Sequence, residues 1–320
     1  MNVYNGLEAL IQPFARATVA VGTFDGVHRG HQAIIRMAVD DARAANRPAI
    51  VFTFDRHPYE LLAPDRVPGY LTTPAQRLPL IALQGTDELM IARFNTELAS
   101  LTAEEFVQTV LKDKLGAESI IIGGDFHFGK GRSGNEEYLR SVQDRFGFRL
   151  HVHPPVYYNE MSVHSTNIRE LIRTGNVSDA ETLLGHPYLL AGTVVHGQQL
   201  GRTLGYPTAN LALTVNQVVP ADGIYAVEAI WEEGRKWGGA CSIGNRPTVE
   251  GAGRSIETYL FDFSEDIYGR IMELRFLSFL RPELKFDSLD ALVVQMGQDV
   301  QQAKAIYASF SCKEHNRPLA

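Results

Sequence analysis

Short apolar runs alternate with helically spaced segments through the first half of the chain. Val19, Ala20 and Val21, flanked by Thr18 and Thr23, predict a buried strand, and from Gly30 onward HQAIIRMAVDDARAA carries apolar residues at helical spacing. PAIVFTF (48–54), ELMIARF (88–94), ESIIIGG (118–124) and RLHVHPP (149–155) repeat the strand pattern. Between them TAEEFVQTVLKDKL opens on a Thr102, Glu105 pair of the capping-box type, and NEEYLRSVQDRFG stops at Gly147 as a helix should. This alternation, kept up for about 150 residues, predicts an α/β domain: a parallel sheet covered on both faces, with ligands at the carboxyl ends of its strands.

Helical signals continue through STNIRELIRTGN, closed by Gly175, and SDAETLLG, and stop at Gly185, His186 and Pro187. There the texture changes, which places a domain boundary between 185 and 186. YLLAGTVVHG, GIYAVEAIW, WGGACSIG, SIETYLFDF and IMELRFLSFL follow at hairpin-like spacing, and SLDALVVQMGQDVQQAKAIYASF reads as an amphipathic helix. The pattern predicts residues 186–320 to be a small antiparallel β-barrel packed by a C-terminal helix, with a loose tail from Lys313 to Ala320.

Composition narrows the partners. The chain has 320 residues, a net charge of −7 and scattered Lys and Arg, so nothing attracts a polyanion and nucleic acid is excluded as a partner. MNVYNGLEALIQPF lacks a basic start followed by a long apolar segment, and no apolar run reaches membrane-spanning length. A cytoplasmic protein is expected, with no membrane and no obligate protein partner. Cys241 and Cys312 are far apart without metal or redox spacing, and are expected to be reduced and incidental.

The chemistry gathers after the first strand. ATVAVGTFDGVHRGH runs strand, glycine turn, helix, a place where backbone approaches an anion closely and a helix start offers free N–H groups. His28 and His31 flank this turn across Gly30 and are able to donate hydrogen bonds to phosphate oxygens as charge develops, so HxGH suggests nucleotidyl transfer. A zinc pair and a plain helix cap are the alternatives. Two further strand-end loops, DRHP (55–58) and GGDFHFGKGRSGN (123–135), should gather beside the turn. The second meets GxxxxGK, yet Gly131 stands where a P-loop needs Ser or Thr; an open ligand loop with Asp125 pointing into the site and a plain glycine-rich surface loop are the other readings. Ser165 or Thr166 capping a helix with Arg169 one turn in makes a second anion site or an ordinary cap. His151 and His153 read as a polar strand face.

In the second half, GRTLGYPTANL (201–211) is too glycine-rich for a simple hairpin turn. Thr208 and Asn210, two apart on an extended segment, would offer a hydroxyl and an amide oxygen to a hard cation such as Mg²⁺ on a nucleotide, or satisfy themselves in a turn. Along SIETYLFDF, Ile256, Thr258 and Leu260 share one face and Glu257 and Tyr259 the other. Glu257 is then either a solvated strand carboxylate or a general base.

Taken in order, GTFDGVHRGH, FTFDRHP, GGDFHFGKGRSGN, STNIR, VVHGQQLGRTLGYPTANL, PADGIYAVEA, SIGNRPT, SIETYLFDF, DIYGR and FLRPELKFDS resemble the prokaryotic bifunctional riboflavin kinase/FAD synthetase family over nearly the whole chain. The resemblance implies a Rossmann-like nucleotidyltransferase domain (1–185) that joins FMN to the AMP part of ATP, giving FAD and pyrophosphate. It also implies a barrel (186–320) that phosphorylates riboflavin to FMN with ATP and Mg²⁺. His28 and His31 would act on the ATP phosphates with Gly22, Phe24, Asp25 and Gly30 around them, Asp125 and Asn135 would hold flavin substrate, and Ser165, Thr166 and Arg169 the triphosphate. Gly201, Thr208 and Asn210 would organise ATP and Mg²⁺ in the barrel, and Glu257 would take the proton from the ribityl 5′-hydroxyl. His164, Asn167 and Asp55 stand where the family has serine, arginine and proline, and losing a cation beside a triphosphate would weaken adenylyl transfer. A single-function riboflavin kinase and a non-catalytic flavin- or nucleotide-binding regulator are the alternatives.

Overall fold

A computed structural model of the chain describes residues 1–197, 200–231, 234–245 and 254–315. The chain divides into two compact units, 1–68 with 74–164, and 69–73 with 165–320. The strand texture of the barrel starts where the sequence changes, at Tyr188, but the preceding helices Ser165–Arg173 and Val177–Leu184 already belong to the second unit.

In the first unit six parallel strands, β1 (Asn2–Asn5), β2 (Ala17–Val21), β3 (Ala49–Phe54), β4 (Glu88–Ala92), β5 (Ala117–Gly123) and β6 (Arg149–His153), lie in the order β1-β4-β3-β2-β5-β6. β2 and β5 are buried almost throughout, because crossover helices cover both faces of a parallel sheet. Phe52, Phe106, Leu111, Ile120 and Ile122 pack in the core on one face, and Ile35, Ala38, Ile81 and Ile121 on the other. The chain leaves β2 toward β3 on one side and returns to pair β5 on the other. The β2/β5 junction is therefore the topological switch point, where a crevice opens beyond the carboxyl ends of the strands. At the opposite edge Asp41 binds the ends of the sheet together, accepting from Thr18 Oγ1 at 2.6 Å and from the buried Arg47 at 2.8 Å. Burial alone would raise its pKa, but these donors hold it below the ordinary aspartate range. Strand β1 and a two-strand hairpin, β7 (Tyr157–Tyr158) with β8 (Met161–Ser162), were not foreseen from the pattern.

The second unit is a closed antiparallel barrel of β9 (Tyr188–Val195), β10 (Thr208–Leu213), β11 (Gly223–Trp231), β12 (Arg235–Asn245), β13 (Arg254–Leu260) and β14 (Ile271–Arg281), in the order β10-β13-β12-β11-β14-β9. Tyr225, Cys241, Ile243, Ile256, Thr258, Leu274 and Phe276 are buried at alternating positions that face inward together by register. On the outside, Ala226, Ala240, Phe261 and Leu277 meet Val300 and Ala303 of the long helix Leu289–His315. That helix is pinned by Arg281, whose Nε and Nη2 donate to the two oxygens of buried Asp299 at 2.8 and 2.6 Å. The expected loose tail is therefore helical as far as His315; residues 316–320, Gln198, Gln199 and the Arg246–Thr248 part of SIGNRPT lie outside the described residues.

Candidate functional sites

Beyond β2 the chain makes a tight turn and enters the helix Arg29–Ala44. Phe24, fully buried, takes a left-handed backbone (φ 48°), Gly26 follows at φ 80° and Val27 at φ 39°. A β-branched residue in that region is costly, so the turn persists only because its surroundings over-determine it. His28 caps the helix: its Nδ1 accepts from the His31 backbone N–H at 3.2 Å. A neutral His28 therefore carries its proton on Nε2. The rings of His28 and His31 stack with centroids 3.5 Å apart and planes 18° from parallel, and Phe24 presents its edge to His31 at 5.3 Å. Gly30 makes the stack possible, since a Cβ there would lie 3.2 Å from the His28 ring and 3.5 Å from the Val163 carbonyl. Gly22 lies against the Phe24 ring, and Asp25 is buried within the turn. The two rings lie face to face rather than converging on one point, and no cluster of three metal-ligating side chains occurs among the described residues.

Arg77, on the helix Pro74–Ala82, was missed by the sequence reading. It is buried, and its Nη1 donates to Thr23 O at 2.8 Å, Thr53 Oγ1 at 3.3 Å and Phe54 O at 3.3 Å, while Thr53 Oγ1 donates to Thr23 O at 3.0 Å. The DRHP loop also ends on a strand. Asp55, at the position of the family's proline, donates its N–H to Ala92 O at 3.0 Å and accepts the Phe94 N–H at 2.9 Å. Proline there would lack the N–H that makes the first of these bonds.

After β5 the glycine-rich loop closes on itself, with Phe128 and Gly134 exchanging backbone hydrogen bonds at 3.0 and 2.9 Å and the next long helix starting only at Glu136. No helix start cradles the segment after Lys130, so the Walker-type reading fails. Asp125 projects into solvent at the switch point with His164 Nδ1 3.8 Å from its carboxylate. Asn135 is placed differently from a free ligand group: its side-chain oxygen caps the Glu136–Phe146 helix, accepting from Tyr138 N–H at 2.9 Å. His151, on the polar face of β6, lies 3.7 Å from Asp41. In the second unit Ser165 opens its helix, Thr166 follows in the first turn, and buried Arg169 donates from Nε to the Gly69 carbonyl at 2.7 Å.

The barrel carries its own polar cluster. β10 runs antiparallel to β13 with Asn210 opposite Glu257 and Thr208 opposite Tyr259, so all four side chains share the outer face. Thr208 Oγ1 donates to Glu257 Oε2 at 3.2 Å, and Asn210 is buried. The chain after β9 passes over Asn210 so closely that a Cβ at Gly197 would overlap its amide. Gly201 lies in the turn that leads back to β10, its carbonyl accepting from Tyr206 N–H at 2.8 Å, and the Tyr206 ring packs edge-on against Tyr259 at 5.2 Å. His196, beside Gly197, stacks on Tyr268 with centroids 3.7 Å apart. Next to that stack an open cavity of about 620 Å³ is lined by Ile230, Trp231, Tyr268, Arg270, Ile271 and Glu273.

The class follows from the two units together with what they resemble: a Rossmann-like sheet with a histidine turn at its switch point and a closed barrel with a hydroxyl, amide and carboxylate on its outer face are the two modules of an ATP-using transferase. The FAD synthetase family profile matches residues 11–167 and the riboflavin kinase profile residues 184–307. Bifunctional riboflavin kinase/FMN adenylyltransferases are similar end to end: that of Escherichia coli K12 is 36% identical over 96% of this chain and 98% of its own length. The Haemophilus influenzae protein is 36% identical over 97% and 100%, and the Pseudomonas fluorescens protein 38% identical over 96% and 98%. A crystal structure from Streptococcus pneumoniae, described as a macrolide-efflux protein, superimposes with a TM-score of 0.83 at 35% identity over 95% of this chain and 99% of that one. The chain belongs to the bifunctional riboflavin kinase/FMN adenylyltransferase family. It is a flavin-cofactor enzyme with ATP, riboflavin, FMN and FAD as substrates and products; no helix among the described residues is long and apolar enough to cross a membrane.

Proposed function

We propose that the adenylyl transfer from ATP to FMN is run by the turn after β2, with His28 and His31 as donors to the phosphates. The observation that carries this reading is the arrangement of the pair: His28 Nδ1 accepts the His31 N–H at the helix start, and the two rings stack 3.5 Å apart at the switch point of the sheet. Negative charge builds on the phosphate oxygens as FMN attacks and pyrophosphate leaves. A donor already oriented by the helix start stabilises that charge without reorganising. Asp125 and the loop it opens hold the flavin substrate. Asn135 contributes chiefly by fixing the start of its helix. Ser165, Thr166 and the opening turn of their helix offer hydroxyl and N–H donors to an anion, with Arg169 bracing the turn through Gly69.

In the barrel Glu257 acts as general base for the ribityl 5′-hydroxyl. Thr208 holds one carboxylate oxygen, which leaves the other to accept the proton as the hydroxyl attacks the γ-phosphoryl group. Thr208 and Asn210 would hold Mg²⁺ with the phosphates: a hydroxyl and an amide beside a carboxylate are hard oxygen donors, the set this ion takes when phosphates and water complete its shell. Bound there, the ion would offset the charge of the ATP phosphates. The cavity that Tyr268 lines, beside its stack with His196, is offered as the place of the adenosine end of ATP. Both reactions use small molecules only and belong in the cytoplasm, where ATP is supplied. Incubation with riboflavin, ATP and Mg²⁺ and chromatography of the products should give FMN first and FAD later. FMN without FAD, even when FMN is supplied, would leave a single-function kinase, and neither product would leave a binding protein.

A further inference from the structure

The strained turn that carries His28 needs something to hold it. Its two non-glycine residues with left-handed backbones, Phe24 and Val27, stand on either side of Asp25 and Gly26. The last ladder bond between the strands is Gly22 N–H to Phe52 O at 3.1 Å, after which the backbones part. Beyond that point the turn and β3 are joined by side chains: Thr53 Oγ1 to Thr23 O, and Arg77 Nη1 to Thr23 O, Thr53 Oγ1 and Phe54 O. Gln32 adds a tie from the helix side, donating to Val27 O at 2.9 Å.

We propose that Arg77, through Thr53 and the Thr23 carbonyl, is the positioning residue that sets the His28–His31 pair for adenylyl transfer. The inference rests on the reading of those histidines as transition-state donors. The buried Arg77 guanidinium imposes a direction on Thr23 O, Thr53 Oγ1 and Phe54 O, because it is planar and always charged and its donors lie at fixed angles. Thr23 O is thereby fixed one residue before Phe24, whose ring edge in turn meets His31. A change at Arg77 is carried along the backbone to Phe24 and through the ring contact to the stacked imidazoles. Arg77 itself touches no substrate in this account. Its effect is on where the donors stand when the charge appears, and misplacement of about 1 Å costs about 10²-fold in turnover.

Three substitutions in the full chain test this. Arg77→Met, which keeps the stem and removes the fork, should lower kcat for FAD formation from supplied FMN about 10²-fold while KM for ATP changes little. Thr53→Val removes only the bridging hydroxyl and should lower the same kcat about 3- to 10-fold, the worth of one hydrogen bond. Arg77→Lys should recover part of the loss. FMN formation, carried by the other unit, reports in each case that the chain is intact. The ¹⁵N signals of His28 are the independent readout: with the turn in place Nδ1 is an acceptor and Nε2 protonated, and Arg77→Met should average that distinction. An unchanged kcat in Thr53→Val and Arg77→Met overturns the proposal, as does a kcat loss that leaves the His28 signals untouched. Should Arg77→Met fail to fold, Thr53→Val decides alone. If His28→Ala keeps full turnover, the underlying reading of the histidines falls instead.

Discussion

Replacing Glu257 by glutamine removes one function and very little structure. The residue sits on β13 between Asn210 of β10 and Ser242 of β12, and its backbone pairing is indifferent to the side chain. Among the described residues its carboxylate accepts from Thr208 Oγ1 at 3.2 Å, a bond that survives because the amide oxygen of glutamine also accepts. Half-buried and on the outer face, the substitution should change stability by less than about 0.5 kcal/mol. What disappears is the capacity to take a proton. A general base contributes about 10²–10⁴-fold, so FMN formation should fall by that factor, equivalent to about 2.7–5.5 kcal/mol at the transition state. The assay is steady-state conversion of riboflavin to FMN at saturating ATP and Mg²⁺, with FAD formation from supplied FMN measured on the same preparation. FAD formation should be unchanged. A Glu257→Gln enzyme that keeps more than a tenth of its kinase rate would refute the base assignment, and equal loss of both activities would show damage to the fold rather than to a proton acceptor.

His28→Ala and His31→Ala should each cut FAD formation about 10²–10³-fold, with calorimetric ATP affinity falling far less and FMN formation unchanged; parallel loss of affinity and turnover would make them binding groups only. Asp299→Ala leaves the Arg281 guanidinium buried without its carboxylate, a loss of about 3–5 kcal/mol, so the melting transition of the barrel should drop by roughly 6–20 °C in a thermal scan. Acid should weaken the first unit through two aspartates. Asp87 is held low by hydrogen bonds from Arg43, and Asp41, despite its burial, by Thr18 and Arg47. Stability from a carboxylate with a lowered folded pKa is complete above its unfolded value, here the ordinary 3.8, and drains away as pH falls below that. Urea midpoints measured from pH 5 downward should therefore decline below about pH 4, and Asp41→Asn should flatten that decline.

The parts of the fold written in local order were legible, and those that depend on distant partners were not. The turn from β2 into its helix is spelled by glycines and histidines within a few positions of one another, so its shape could be read from the local sequence. Thr208, Asn210 and Glu257 were legible for a second reason: strand alternation puts Glu257 and Tyr259 opposite Ile256 and Thr258 whatever the neighbours are. Arg77 gave no signal, because an arginine on an amphipathic helix looks the same whether it faces water or reaches across the sheet to Thr23. Asp55 looked like a weakened proline turn, yet its N–H and carboxylate take up groups at the end of β4. Helical periodicity in 165–184 likewise says that one face is covered without saying by which unit. The Val177–Leu184 helix packs on β9 and β14, so the compact units part before it.

The barrel register also explains why Glu257, the proposed base, stands outside rather than in the lumen. Cys241 and Thr258 face each other across β12 and β13 on the inner side, and burial pushes the Cys241 thiol up to about 12. Burial of this kind strongly disfavours the charged form of a group that faces the lumen. A carboxylate one residue along β13 would meet the same penalty if the strand slipped by a single position, since a one-residue shift exchanges the two faces. It would then be protonated and useless as a base. The alternation that buries Ile256, Thr258 and Leu260 thus keeps Glu257 on the outer face, half-buried beside Thr208 and Asn210. Adding a residue to β13 between Arg254 and Ile256 should for that reason abolish FMN formation more completely than Glu257→Gln, because it disorders the core and buries the base in one step.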